Sequence, residues 1–309
     1  MTFKRILVPL DGSTLAEQAL APAIKLAQHV QGELIVMRVP VYVDARVQTA
    51  VAHDMAPVAT MWPQDSITSV YEEAQEYLAH IVERRKPADL PMRALVVDGD
   101  RAGAIVDTAV SEKADLIVMS THGRTGLSRW VFGSVTERVL RGADCTALIV
   151  RTPQPLRHIL VTLDGSRLAE RALAPALTLA RAFESKVTLL RVSEPIEIDP
   201  EIIEQIGQAE WGLGEQLSSA PLRNEETYLQ NLAAPQQHSG LDVQTAVVSR
   251  PVAAAILDFS EAQRVDLIAM STHGRSGLRR WVYGSITEKV MRGARCAMLI
   301  IRPPGNALR

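Results

Sequence analysis

Two cysteines in 309 residues are too few for a disulfide framework, which fits a chain kept in a reducing cytoplasm. Basic residues are not in excess either. The formal charge of −2 leaves no electrostatic footprint for nucleic acid and no polybasic patch for a membrane surface. No apolar run approaches the roughly 18 residues of a membrane span. Ile6-Leu-Val-Pro-Leu10 is too short for a signal-peptide core, and Asp11 interrupts it at once. Catalytic signatures are missing as well. No His/Cys/Asp cluster has metal-ligand spacing, no Gly-x-Ser-x-Gly elbow occurs, and no nucleophile stands paired with a base. Neither a Walker A loop nor a Gly-x-Gly-x-x-Gly turn is present.

What is present is a duplication. Lys4-Arg-Ile-Leu-Val-Pro-Leu-Asp-Gly-Ser13 returns as Arg157-His-Ile-Leu-Val-Thr-Leu-Asp-Gly-Ser166, an offset of 153 residues. Met119-Ser-Thr-His-Gly-Arg-Thr-Gly-Leu-Ser-Arg-Trp-Val-Phe-Gly-Ser134 returns as Met270-Ser-Thr-His-Gly-Arg-Ser-Gly-Leu-Arg-Arg-Trp-Val-Tyr-Gly-Ser285, an offset of 151. Offsets this similar across a whole half indicate duplicated domains rather than a short-period solenoid. The expected domains are 1–152 and 157–309, divided where Pro153 and Pro155 interrupt any regular element.

Within each half, apolar runs of strand length alternate with helical patterns. In the first half the strands are Arg5 to Leu10, Glu33 to Val39, Ala94 to Val97, a run ending at Met119, and Thr146 to Arg151. Helices are expected over Thr14 to Val30, Ser66 to Lys86, Arg101 to Glu112 and from Ser134 to about Arg141. Pro40 to about Gln64, and Ser193 to about Pro221 in the second half, show no clear period. Such alternation predicts an α/β fold of two tandem, doubly wound, parallel five-stranded sheets with right-handed crossovers. Ligands of such sheets sit beyond the carboxyl ends of the strands, where the strand order switches. Asp11 and the loop after Met119 both lie at such ends.

The glycine-containing loop leads from a buried strand into a helix N-terminus, in both copies. Unpaired N–H groups and the helix dipole at that end favour an anion, and the loop arginines (Arg124 and Arg129; Arg275, Arg279 and Arg280) add weight to that reading. Ser134 with Glu137, and Ser285 with Glu288, have the spacing of a capping box. A bland reading stands beside this one: glycine for turn geometry and serine for a cap alone. Asp11 and Asp164 suit capping or a sugar hydroxyl better than metal or base chemistry. His122 and His273 suit local hydrogen bonds, Trp130 and Trp281 suit anchoring the loop, and Cys145 and Cys296 suit packing.

These motifs resemble those of a tandem universal stress protein, over nearly the whole chain. The nucleotide-binding branch of that family carries Gly-x2-Gly-x9-Gly-Ser/Thr. Here Gly123 is followed by nine residues and Gly133-Ser134, and Gly274 by nine and Gly284-Ser285. The first glycine of the pattern is Ser120 in one copy and Ser271 in the other. The resemblance implies a Rossmann-like fold and ATP, ADP or AMP as ligand, with Mg²⁺ accompanying ATP. It implies ribose or adenine contacts from Asp11 and Asp164, a backbone contact to adenine from Val39 and Val192, and nucleoside packing against Met119 and Met270. It places phosphates against Gly123, Gly133 and Ser134, and against Gly274, Gly284 and Ser285, with Val135 and Ile286 among the nucleotide-binding residues. Ser120 and Ser271 fall in the same sites. Thr162 replaces Pro9 in the second copy, which makes the first site the stronger expectation.

The function expected from the resemblance is a stress-response regulator set by nucleotide occupancy. It is not an enzyme, and any ATP hydrolysis should be slow, since the parts of a phosphoryl-transfer site are not identifiable. The alternative is a nucleotide-independent interaction or scaffold protein. The last strands of the halves, Thr146–Val150 and Ala297–Ile301, are edge candidates. They are expected to pair antiparallel about an intrachain pseudo-two-fold, with homodimerisation of the chain and the protein partner left open.

Overall fold

Short aliphatic runs bounded by Asp, Gly or Pro become the strands of the computed structural model, which describes residues 3–40, 64–121, 133–151, 154–193, 213–272 and 284–302. The first half contains β1 (Arg5–Pro9), β2 (Glu33–Arg38), β3 (Met92–Val96), β4 (Leu116–Ser120) and β5 (Thr146–Val150). The second contains β6 (His158–Leu163), β7 (Lys186–Ser193), β8 (Val243–Ser249), β9 (Leu267–Ser271) and β10 (Ala297–Ile301). Between them lie α1 (Leu20–His29), α2 (Gln64–Arg85), α3 (Arg101–Ser111) and α4 (Ser134–Gly142), then α5 (Arg167–Glu170), α6 (Leu173–Phe183), α7 (Leu213–His238), α8 (Val252–Ala262) and α9 (Ser285–Gly293). This is the mixed α/β, Rossmann-like architecture in two halves. Among the described residues no helix is long and apolar enough to cross a membrane.

Most boundaries fall within two residues of the sequence reading, β3 for instance opening at Met92 rather than Ala94, and two helix starts differ more. The helix expected from Thr14 opens as a 3-10 turn, Ala16–Ala19, and the α-helix proper starts at Leu20. Pro22 is its third residue, where the missing N–H would have had no partner. Pro175 holds the same place in α6, after the short α5. In the second half the irregular stretch expected to reach Pro221 ends earlier, because α7 already begins at Leu213 and takes Pro221 into its length.

The strand order is β3-β2-β1-β4-β5-β10-β9-β6-β7-β8, so the two five-stranded sheets run on into one another. All neighbours are parallel except β5 and β10, which pair antiparallel with Met298 opposite Ile149, Leu299 opposite Leu148 and Ile300 opposite Ala147. Both strands are buried along their full length. Leu148 and Leu299 face one hydrophobic cluster, and Ile149, Met298 and Ile300 the other. Side chains of both halves therefore share both layers of the core. Full burial of each such side chain contributes about 1.5–3 kcal/mol. The arginine that follows each of these strands crosses to the other half. Arg151 donates to the Met291 carbonyl in the last turn of α9 at 2.8 Å, and Arg302 donates to the Leu140 carbonyl in the last turn of α4. A cation suits a helix C-terminus, where unpaired carbonyls collect.

The register also creates the crevices. β1 pairs with β2 over five positions but with β4 only at Ile6–Leu116 and Leu7–Ile117. β6 and β9 likewise pair only from Ile159 to Val161. At their amino ends the strands are held by one carboxylate in each half. Asp115 Oδ2 accepts from the Lys4 and Arg5 amides at 2.9 and 3.0 Å, and Asp266 Oδ2 from those of Arg157 and His158 at 2.9 Å each. Beyond the paired residues the strands diverge towards their carboxyl ends, at the switch in strand order.

Candidate functional site

Each crevice has a turn on one side and a helix start on the other. The turn is Asp-Gly-Ser. Gly12 and Gly165 have φ of +90° and +77°, a left-handed conformation that L side chains rarely adopt. Asp11 Oδ1 accepts from the Ser13 amide at 2.9 Å and the Ser13 hydroxyl at 2.6 Å, and Ser13 Oγ accepts from the Ala16 amide at 3.1 Å. Asp164 Oδ1 accepts from the Ser166 amide at 2.9 Å, and Ser166 caps α5 through the Ala169 amide at 3.1 Å. The serine is thus the cap and the aspartate holds the serine, while the aspartate's Oδ2 takes no part in the turn. Burial acts to raise the Asp11 carboxyl. The Ser13 bonds and the charge of Arg101 outweigh it and hold the group below the ordinary carboxylate value.

The opposite wall is the first turn of α4, and of α9 in the second half. Here the capping-box reading is corrected by one residue. Gly133 is the N-cap, extended at φ −54° and ψ 144°, and Ser134 is the first helical residue. Gly284 and Ser285 repeat this. The Glu137 amide bonds to the Gly133 carbonyl at 3.0 Å, while the Glu137 carboxylate turns along the helix to Arg141 at 2.7 Å. Glu288 does the same with Gly284 and Arg292. The serine at the head of each helix is exposed and free of capping duty. The amides of residues 134–136 and 285–287 precede the first intrahelical bond and point out of the helix end.

In the first half, Pro9, Asp11, Val39, Met119, Ser120, Gly133, Ser134 and Val135 all line one cavity of about 280 Å³. In the second, Asp164, Val192, Met270, Ser271, Gly284, Ser285 and Ile286 line one of about 740 Å³, with Thr162 in the place of Pro9. The structure therefore brings together every candidate residue that it describes. Gly123 and Gly274 lie outside the described residues, as do the loop arginines, His122, His273, Trp130, Trp281 and both irregular segments apart from their ends.

The residues present suit an anionic ligand with a flat, apolar part. Apolar side chains line the strand ends and unpaired amides line the helix end. A Cβ added at Gly133 would meet nothing within 4 Å, so the cradle has room there. The hydroxyl oxygens of Ser120 and Ser271 are buried and have no hydrogen-bond partner. Among the described residues no group of three His, Cys, Asp or Glu side chains could hold a metal ion. Burial pushes the Cys145 thiol up to about 12 and the Cys296 thiol to about 11, which makes both poor nucleophiles.

Several residues at the crevices had no signal in the sequence. Arg101 lines the first, and Arg191 with Ser193 the second. Behind each turn stands a repeated ionic cluster. Arg38 pairs with Glu73 at 3.2 Å and lies over the Tyr77 ring at 4.9 Å, and Tyr77 donates to Glu17 at 3.3 Å. Arg191 pairs with Glu225 at 3.2 Å, and Tyr228 donates to Glu170 at 3.0 Å. A comparison of the two halves at offsets of 151–153 residues would have aligned these side chains, but not shown that they meet.

A model of the universal stress protein family matches the chain twice, over residues 2–151 and 155–302. A universal stress protein of Methanocaldococcus jannaschii is 34% identical over 156 residues, spanning 49% of this chain and 84% of its own length. One from Mycobacterium tuberculosis is 27% identical over 263 residues, spanning 80% of this chain and 84% of that protein. The crystal structure of a universal stress protein from Archaeoglobus fulgidus superposes with a TM-score of 0.67 at 19% identity, covering 98% of this chain and 99% of that one. A functionally unknown protein of Pseudomonas aeruginosa gives 0.70 at 16% identity, covering 98% of this chain and 93% of its own. The two structural likenesses speak for the fold.

Proposed function

This chain belongs to the universal stress protein family, in tandem form, and from that premise we propose that it is an adenine-nucleotide-binding regulator of the stress response. The observation that carries the reading is that one crevice is built twice. In each half the ends of the first, second and fourth strands meet the start of the helix after the fourth, and the candidate residues line the resulting cavity. In this reading Oδ2 of Asp11 and Asp164 takes a ribose hydroxyl. The backbone at Val39 and Val192 takes the adenine edge, and Met119 and Met270 pack along the nucleoside. The helix-end amides from Gly133 to Val135 and from Gly284 to Ile286 take phosphate oxygens, joined by Gly123 and Gly274 from the loops. The ligand is ATP, ADP or AMP, with Mg²⁺ accompanying ATP. Occupancy sets conformation or partner affinity in the cytoplasm, without catalysis beyond slow hydrolysis. The domains 1–152 and 157–309 form the pseudo-dimer of this proposal, joined through β5 and β10.

The test is to denature the purified chain and quantify released nucleotide by ion exchange with mass detection. Close to two adenine nucleotides per chain is the expected result. None released, together with no heat of binding on titration with ATP, ADP or AMP, overturns the reading and leaves the nucleotide-independent scaffold in its place.

A further inference from the structure

Two arginines leave their own half to finish a helix of the other. Arg302 follows β10 and donates to the Leu140 carbonyl in α4, and Arg151 follows β5 and donates to the Met291 carbonyl in α9 at 2.8 Å. Leu140 and Met291 are buried, and their carbonyls fall among the last four of each helix, which have no partner within it. These are the two helices whose heads face the crevices. Each has nine residues, so only about 13 Å separates the arginine at its tail from the amides at its head. A cation at the tail and an anion at the head act on one dipole, and a helix this short moves as one piece.

Each arginine is also tied to the crevice of its own half. The carbonyl of Ile301, just before Arg302, accepts from the Thr272 amide at 3.2 Å and the Thr272 hydroxyl at 3.4 Å. The Thr272 carbonyl in turn accepts from the Gly284 amide, at the head of α9, at 3.3 Å. Bonds therefore run from the head of α9, through the end of β10, to the tail of α4. In the other direction the Val150 carbonyl, just before Arg151, accepts from the Thr121 amide at 3.0 Å. Burial lowers the proton affinity of Arg151, so this donor works where solvent screens it little.

We propose that Arg302 is a positioning residue for the first crevice and Arg151 for the second, so that each half sets how tightly the other holds an anionic ligand. The proposal rests on the nucleotide reading for the place of the phosphates, at the heads of α4 and α9. A ligand without phosphate does not meet the helix head and does not feel the arginine behind it.

The experiment uses the full chain with one crevice closed at a time. Ser285→Asp puts a carboxylate at the head of α9, which repels phosphate and suits the helix dipole, and Ser134→Asp does the same at α4. Arg302→Met or Arg151→Met is then added, keeping an apolar stem and removing the donor. ADP and adenosine binding are measured by calorimetry, and folding by thermal melts. In the Ser285→Asp chain, Arg302→Met weakens ADP at the first crevice about fivefold, as expected for a charge lost from a partly buried helix end, and Arg151→Met leaves it unchanged. In the Ser134→Asp chain the two arginines exchange roles. Adenosine binds as before in every case, and Arg302→Lys restores most of the ADP affinity, because an ammonium also donates to a carbonyl. Arg302→Gln and Arg151→Gln, with a neutral donor, keep the crossed pattern at smaller size and decide the matter where a methionine chain does not fold. A loss in the arginine's own half, equal losses in both crevices, or equal losses for ADP and adenosine overturns the proposal and leaves the nucleotide reading intact. A parent that binds inorganic tripolyphosphate but no adenine nucleotide refutes that reading, and the crossed loss is then read with tripolyphosphate. A parent that binds neither overturns both.

Discussion

The two halves keep the same skeleton and part company at the mouths of their crevices. Asp115 and Asp266 hold the strand starts alike, and Ser13 and Ser166 cap alike. At the rim the first half closes α3 onto α4 with a fork. Both oxygens of Asp100 bind Arg138, at 2.9 and 2.7 Å, while Asp100 also caps α3 through the Gly103 amide. The second half has Pro251 and Lys289 in those places, and its N-cap makes no side-chain bond. Arg101 in the first cavity is replaced by Val252 in the second. The lesson is that duplication preserves what satisfies buried backbone, because losing it costs a hydrogen bond in the interior. Exposed charges at a rim are screened by solvent and contribute little to stability, so they are free to diverge.

The largest effect should come where the halves cannot differ. Leu148 and Leu299 face each other across the seam, and both are fully buried. Replacing either by Ala should cost about 3 kcal/mol in urea unfolding, and the two costs should agree within about 1 kcal/mol. A silent variant on one side would break the equivalence of the halves at their junction.

Next comes a buried position where the halves solve one problem differently. A Cβ on Gly32 would stand 2.8 Å from the Lys4 carbonyl oxygen, a backbone atom with no room to yield. Its counterpart is Ser185, whose hydroxyl donates to the Leu156 carbonyl. Gly32→Ala should therefore cost about 2 kcal/mol through overpacking, and Ser185→Ala about 1 kcal/mol through one lost hydrogen bond. Equal costs would mean that the second half has not opened its backbone to admit the serine.

At the rim itself, Arg101→Ala should weaken phosphorylated ligand in the first crevice about fivefold and leave the second unchanged. Val252→Arg should do the reverse in the second crevice. Titration calorimetry resolved into two sites reads both. A change confined to neither site would detach Arg101 from the ligand.

Much of this was legible because the strands are apolar runs of the right length and the repeat doubled every signal. β10 reads Ala-Met-Leu-Ile-Ile with no polar residue, and such a run is a buried strand in almost any setting. Asp11, Met119 and Ser134 could be placed at strand ends and a helix start from local pattern alone. What escaped were facts of tertiary distance. That Arg151 and Arg302 cap the helices of the opposite halves depends on the antiparallel register, which no local period encodes. That Gly133 rather than Ser134 is the cap depends on one pair of backbone angles, and a Ser-x-x-Glu spacing cannot show whether the glutamate turns back to the cap or forward to Arg141. That Ser120 keeps a buried hydroxyl without a partner is a statement about everything around it.

The smallest expected difference concerns acid, and it belongs to the second half alone. His158 is buried at the start of β6, where the first half has the partly exposed Arg5. Its Nδ1 lies 3.1 Å from the Gln263 carbonyl, which can only accept, so Nδ1 carries the proton and Nε2 accepts from Thr188 Oγ1 at 2.9 Å. The neutral ring is fully satisfied. Burial lowers its proton affinity below the ordinary 6.5, with Lys186 adding to the effect and the Gln263 carbonyl and nearby carboxylates opposing it. The unfolded chain then binds this proton at a higher pH than the folded one does. Stability from the neutral ring is complete above 6.5 and is lost as pH falls from there through the folded value. Denaturant midpoints measured between pH 7.5 and about 5 should fall for the parent. His158→Gln, which keeps a donor and an acceptor but cannot titrate, should flatten that slope. If the variant and the parent lose stability in parallel, the acid sensitivity lies in groups common to both halves, and this point of contrast between them disappears.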